Sequence, residues 1–250
     1  MISTQWMVDA SHHAAAAVDR SAILTNFLSD DPEPHCVEAL LCGFWPFVLG
    51  FQFAAKEVVQ KCLLTANEQI ASLPPGKLAF FASRREALVS IADDEHSHME
   101  MWLAVSAARG YGYRYLDAWK KIPEVLSLRE RIINERTLAD QLIYVLAVEL
   151  LAGAFSEKVL ASPAARTLLG ETKLTWFAAH ISHGDFSHAS LALDAAAFFG
   201  GESMTREYLL ARLDEFAELY LDADAACVTH VESFPRLNPR GQTSLAGVAG

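Results

Sequence analysis

Asp93-Asp94-Glu95-His96-Ser97-His98 stands in the middle of a long helix-forming run, and its reading decides the rest of the chain. Glu95 and His98 are three residues apart, so on a helix they project from one face about one turn apart. A carboxylate and an imidazole in that relation can ligate one metal ion or bridge a pair. Asp185-Phe186-Ser187-His188 repeats the arrangement later in the chain, with Asp in place of Glu. Between them, Glu149 is the only charged residue from Leu142 to Phe155. Its helical neighbours Val145, Leu146, Ala152 and Gly153 are apolar or small, which turns its carboxylate inward. A buried carboxylate needs a cation, a proton or a hydrogen-bond donor. Three such features in one helical chain point to a carboxylate–histidine metal centre, with two irons as the pair.

Working outward, the punctuation is sparse and the intervals are helical. Thr4 to Leu28 reads as a first helix, stopped by Asp31-Pro32-Glu33-Pro34. A second region runs from His35 to about Ile70, broken or bent near Gly43 and Pro46, and Pro74-Pro75-Gly76 stops it. The third, Lys77 to Ala108, carries the opening motif and closes at Gly110. Short helices follow around Tyr115–Lys121 and Pro123–Asn134. Thr137-x-x-Asp140 looks like a capping box that starts the helix of Glu149, which ends near Ser162-Pro163. Another helix spans Thr172 to Phe199 and stops at Gly200-Gly201. The last, Thr205 to Ser233, is amphipathic. Nothing alternates as a strand does. The expectation is one all-α domain over residues 1–234, with seven to eight helices, and a loose tail over 235–250.

Composition narrows the function. The 250 residues are 52% hydrophobic and carry a formal charge of −11. That charge leaves no basic stripe for nucleic acid. No uncharged apolar run reaches the ~18–20 residues of a membrane span, and Met1 to Asp9 lacks the basic region of a signal peptide. No nucleic acid, no membrane and a cytoplasmic location are the resulting expectations. Cys36, Cys42, Cys62 and Cys227 form no Cys-x-x-Cys pair and read as buried thiols.

Two ferrous ions bring four positive charges into an apolar bundle, so several carboxylates must offset them while imidazoles complete each iron. Helical bundles solve this with a Glu from each of two helices and a carboxylate-x-x-His pair from each of two others. Glu95/His98 and Asp185/His188 fit the pairs, and Glu149 fits one single Glu. Glu57 is a candidate for the other, although Lys56 and Lys61 beside it suit a surface face. Glu68 lies near the Pro-Pro turn, and Glu38 needs the bend at Pro46 to come inward.

The stretch Trp176-Phe177-Ala178-Ala179-His180, with Asp185 and His188 beyond it, resembles the His-x-x-x-Asp-x-x-His helix of the haem-oxygenase-like di-iron oxidases and oxygenases. The helix with His98 followed by Trp102 and Gly110 is similar too, as is the order of Glu/His helix, lone Glu and Asp/His helix. The resemblance spans roughly residues 35–200 and implies a haem-oxygenase-like bundle. It implies Glu95, His98, Glu149, Asp185 and His188 as ligands and His180 as a sixth. Here His180 precedes Asp185 by five positions where the family has four. On a regular helix that turns His180 about 100° away and puts Ile181 in its place, unless a π-bulge, for which Gly184 is the natural position, restores it. Asp94, His96 and His183 are candidates for orienting the ligands, His96 and Asp94 having packing or solvent as the alternative. His12 and His13 read as surface.

The resemblance also implies an activity: two Fe(II) ions as cofactor, O2 as co-substrate, and oxidation of a small organic substrate in specialised metabolism. N-oxygenation, desaturation and oxidative C–C or C–N cleavage are the reactions it brings, with an amino-acid-derived substrate favoured. An external electron donor and a homodimer are compatible partners. Phe51, Phe81, Trp102, Phe155, Trp176 and Phe177 are candidates for an apolar substrate pocket, with the core as their other destination. Arg84, Arg85 and Arg109 are candidates for anchoring a carboxylate. The rival readings are a metal-independent enzyme of the thiaminase or quinone-cofactor-synthase type, a ferritin-like di-iron protein, and a non-enzymatic helical binding module.

Overall fold

The computed structural model describes residues 4–29, 31–69, 73, 75–119, 121–170, 174–181 and 187–233, and among these every regular element is helical. The expected all-α bundle is what is seen. The tail from Pro235 onward lies outside the described residues. In chain order the helices are α1 (Thr4–Val18), α2 (Ala22–Phe27), α3 (His35–Glu38), α4 (Trp45–Gln69), α5 (Pro75–Ala108), α6 (Tyr113–Ala118), α7 (Pro123–Asn134), α8 (Leu138–Ala161), α9 (Pro163–Leu169), α10 (Thr175–Ala179), α11 (His188–Gly200) and α12 (Arg206–Ser233). Several expected helices are therefore divided, and local chemistry explains where.

The first helical stretch splits because Ser21, in extended backbone, caps α2 by accepting from the Leu24 amide at 3.0 Å. Asp224 of α12 completes that cap from across the core. Its carboxylate accepts from the Ser21 hydroxyl at 2.8 Å and from the amides of Ala22 at 2.6 Å and Ile23 at 3.3 Å. A negative group at these orphan amides matches both their hydrogen-bonding need and the helix dipole. Asp224→Ala strands three donors, two of them buried, and is expected to cost about 2 kcal/mol. Urea unfolding followed by far-UV circular dichroism measures it; a change within error would show that water replaces the carboxylate.

The bend expected near Gly43 and Pro46 is a π-helical turn, Ala39–Gly43, between α3 and α4. Its Leu41 carbonyl accepts the Trp102 indole N–H at 3.1 Å, which ties the turn to α5. Gly43 is required by contact: a Cβ there would stand 2.6 Å from Cys227 Sγ on α12. Helix α8 begins where Thr137 accepts from the Asp140 amide at 3.1 Å, and Ser162 ends it while capping α9 ahead of Pro163. Gly201 closes α11 at φ +57°, a conformation that disfavours other residues.

Helix α8 is the axis of the bundle. It packs against α11, α1, α12 and α10, while α5 packs against α4, α10 and α11. The stretch His35–Glu68 and α8 are long and apolar enough to cross a membrane by length and composition, at mean hydropathy 1.5 and 1.6. Most of that apolar surface is used inside the fold.

Candidate metal centre

Four helices bring the polar cluster together. Glu95 and His98 lie one turn apart on α5, Glu149 sits midway along α8, His180 caps the end of α10, and His188 opens α11. Only 5% of Glu95 is exposed, although it is ionisable. Glu95 Oε1 stands 3.3 Å from His98 Nδ1 and 3.3 Å from His188 Nδ1, and His188 Nδ1 stands 3.5 Å from Glu149 Oε1. One ligand atom each from Glu95, His98 and His188 fit within 4.8 Å of one another. Around one ion with bonds of ~2.1 Å, neighbouring donor atoms are ~3.0–3.4 Å apart, and the two 3.3 Å separations from Glu95 Oε1 match that spacing. Among the described residues Glu95 Oε1 and His98 Nδ1 are buried without a hydrogen-bond partner. Such groups are costly unless something satisfies them, and a cation between them would do so. The donor set therefore fits a metal.

The surrounding groups set the histidines for that task. His180 Nδ1–H donates to the Trp176 carbonyl at 2.7 Å, leaving Nε2 with its lone pair. Burial, reinforced by the nearby His98, pushes its pKa down to about 4, so the ring is neutral. Its ring lies 4.4 Å from that of His98. His188 Nε2 meets Asp94 Oδ2 at 3.1 Å and turns Nδ1 toward Glu95 and Glu149. A carboxylate on the far nitrogen is how proteins orient a metal-binding imidazole.

The carboxylates compete for charge. Burial and the proximity of Glu95 push Glu149 well above the usual carboxylate range. Glu95 is held low against its own burial by His188 and His98. Burial alone would lower His188, but Glu149, Glu95 and Asp94 override it and raise it to about 11. In the metal-free protein His188 thus serves as the cation. The stability it contributes is complete below its ordinary 6.5 and is lost as pH rises toward 11, and Glu149 acts in the same sense. Metal binding needs these groups without protons. Between about pH 6.5 and 8.5 the metal-free protein should therefore lose stability, by up to about 1.4 kcal/mol per pH unit for each proton involved. The advantage of the ferrous-loaded form should grow over the same interval. Anaerobic thermal unfolding of both forms measures this, and a metal-free stability that climbs with pH would contradict it.

Beside the cluster lies a cavity of about 310 Å³, bounded by Asp94, His98, Glu149, His180 and His188 and by small residues of α1, α8 and α10–α11. Among the described residues no lysine or arginine lines it. Ser11 and Ala15 of α1, Glu157 and Ser187 belong to the wall and were not anticipated from sequence. Glu157 had a readable signal, since it lies two turns beyond Glu149 with Gly153 between them. Nothing in the first helix had one.

Other expectations need correction. The stretch Thr172–Phe199 is not one helix: α10 ends at Ala179, and Ser187 caps a new start by accepting from the Ser190 amide. Because the helix is not continuous there, His180 is not turned away: its ring reaches His98, while Ile181 is partly exposed. Asp185, His183 and the proposed bulge at Gly184 lie outside the described residues. Glu57 is half-exposed and paired with Lys61 at 2.9 Å. His96 is exposed, meeting Gln52 at 3.0 Å, and touches no candidate ligand. Arg84 is held by Asp194 at 2.7 Å over the ring of Phe80, and Arg109 lines a surface hollow away from the cluster. None of Phe51, Phe81, Trp102, Phe155, Trp176 and Phe177 lines the polar cavity. Phe51, Phe81 and Phe177 are core, the first stacked on Phe47 and the second packed on Phe198. Trp102, Phe155 and Trp176 border a separate apolar chamber.

No protein-family model matches the chain, and no curated protein matches it. Among solved structures it is similar to a TenA homolog from Pseudomonas syringae pv. tomato str. DC3000, with a TM-score of 0.65 over 92% of this chain and 93% of that one, at 17% sequence identity. At that identity the likeness carries the fold, an all-helical bundle of the haem-oxygenase-like kind.

Proposed function

We propose that Glu95, His98, Glu149, His180, Asp185 and His188 hold two ferrous ions, and that the protein uses dioxygen to oxidise a small organic substrate. The observation that carries this reading is the convergence of buried Glu95 with the partly buried His98 and His188, their ligand atoms within 4.8 Å of one another, beside a cavity that no lysine or arginine lines among the described residues. When bound, such ions supply the electrons that activate dioxygen. The chain's own part is to fix the donors. Asp94 holds His188 by its Nε2, the Trp176 carbonyl holds His180 by its Nδ1, and the Gly153–Ala154 surface of α8 leaves room beside them.

Among the described residues the wall offers hydroxyls and carboxylates without an arginine. It therefore suits a small neutral or amine-bearing molecule, amino-acid-derived amines included, better than a substrate anchored by its own carboxylate. A second reading, a metal-independent enzyme of the thiaminase or quinone-cofactor-synthase type, draws on the likeness to the TenA homolog across nearly the whole of both chains. Anaerobic titration with ferrous iron separates the two. The di-iron reading expects about two equivalents retained after desalting, and an optical change when oxygen is admitted. A protein that retains no iron belongs to the second reading.

A further inference from the structure

Two stripes of α8 face two different spaces. Glu149, Gly153 and Glu157 border the polar cavity, whereas Val148, Leu151, Ala152 and Phe155 border a second cavity of about 90 Å³ on the other side. We propose that this second chamber binds dioxygen and delivers it to the acid–histidine site, a role that rests on the reading of that site as dioxygen-using.

Three observations define the occupant. Among the described residues the walls are leucine, valine, alanine and aromatic side chains with no charged group; of their polar atoms, the Trp102 indole N–H is spent on the Leu41 carbonyl and the Tyr220 hydroxyl pairs with Ser21. A buried water needs two to four polar partners, and apolar cavities stay dry and take up apolar guests. The volume of about 90 Å³ is below the ~150 Å³ of a cavity that accepts benzene, so it suits a small apolar guest such as a diatomic gas. The position is also particular. Trp176 lines the chamber, stacks on His180 with ring centroids 4.0 Å apart, and meets Trp102 edge-on at 4.7 Å. One indole thus belongs to the chamber wall and to the surroundings of a candidate ligand. Dioxygen leaves water for apolar surroundings as other apolar solutes do, so the chamber raises its concentration one side chain away from where it is used.

Xenon is the probe for the chamber and ferrous oxidation the probe for its role. Crystals of the protein under xenon pressure should show xenon between Val148, Ala152 and Trp176, and Ala152→Leu should abolish it. Val148→Leu serves as a second filling variant should the first fail to fold. In protein loaded anaerobically with ferrous iron, the filled variant should bind the same iron as the wild type. Its stopped-flow oxidation should be several-fold slower at limiting dioxygen, with the difference closing at saturating dioxygen. Absence of xenon from the wild type, or an unchanged dioxygen dependence in the filled variants, overturns the proposal. If the wild type takes up no iron, the reading of the site has failed and the delivery role falls with it, whatever xenon shows.

Discussion

His188→Ala protein, incubated anaerobically with ferrous iron and desalted, is expected to retain almost none of the metal that the wild type holds. His188 is where the site's contacts meet: its Nδ1 faces both Glu95 and Glu149, and its Nε2 is held by Asp94. Deleting it removes a donor and leaves two buried carboxylates facing each other without a cation. Glu149→Ala should abolish binding as well. Asp94→Asn keeps every donor and loosens one, so its cost should be the ~10–100-fold in affinity typical of an orienting partner. His96→Ala should bind as the wild type does, because that ring lies in solvent beside Gln52. Metal analysis of the desalted proteins gives the ordering directly. Equal iron in wild type and His188→Ala would end the metal reading.

The second large effect concerns stability and lies away from the cavity. Arg212 of α12 reaches Glu135 Oε2 at 2.7 Å and Asp140 Oδ1 at 3.2 Å, pairs with Glu215, and stacks over the Tyr144 ring at 4.7 Å. It joins the end of α7, the start of α8 and the second turn of α12. Glu135 and Asp140 are almost fully covered, so Arg212→Ala strips a partner from two sequestered carboxylates. The expected loss is about 3–5 kcal/mol, or roughly 10 °C in melting temperature for a chain of this size. Arg212→Lys keeps the charge without the planar fork and should recover only part of it. Thermal unfolding at neutral pH measures both, and a loss below about 1 kcal/mol would show that Arg131, which pairs with Glu135 at 2.9 Å, suffices alone. Iron uptake by folded Arg212→Ala should be unchanged, which separates this network from the metal site.

How much of this was legible in the chain depends on what kind of signal each residue left. Glu149 declared itself because a lone acid in an apolar helix has few physical destinations. Glu95 and His98 did so through helical spacing. The division between α10 and α11 left little trace: Ala178, Ala179, His180 and Ile181 all tolerate a helix, and the cap that starts α11 is one serine among several. The aromatic residues illustrate the limit most plainly. Phe51 and Trp102 have the same apolar character in sequence, yet one fills core and the other borders a chamber, and only packing decides between them. Glu57 and His96 show the converse, since spacing brought them near the motif and their neighbours Lys61 and Gln52 took them elsewhere.

Helix α1 packs on α8 and α12 and supplies Ser11 and Ala15 to the cavity wall. Its two partners are made long after it: α1 ends at Val18, α8 begins at Leu138 and α12 at Arg206. At a synthesis rate of ~5–20 residues per second, α1 waits roughly 10–40 s for α12 to leave the ribosome. Until α8 is made, the Ala-rich face of α1 has nothing to cover, and the surface meant for α12 waits longer still. The docking of α1 on α12 is therefore a late, long-range step in a bundle whose other contacts are largely more local. On the di-iron reading, iron arriving before α1 has docked would meet a cavity that lacks the Ser11–Ala15 wall, so loading is expected to follow that docking.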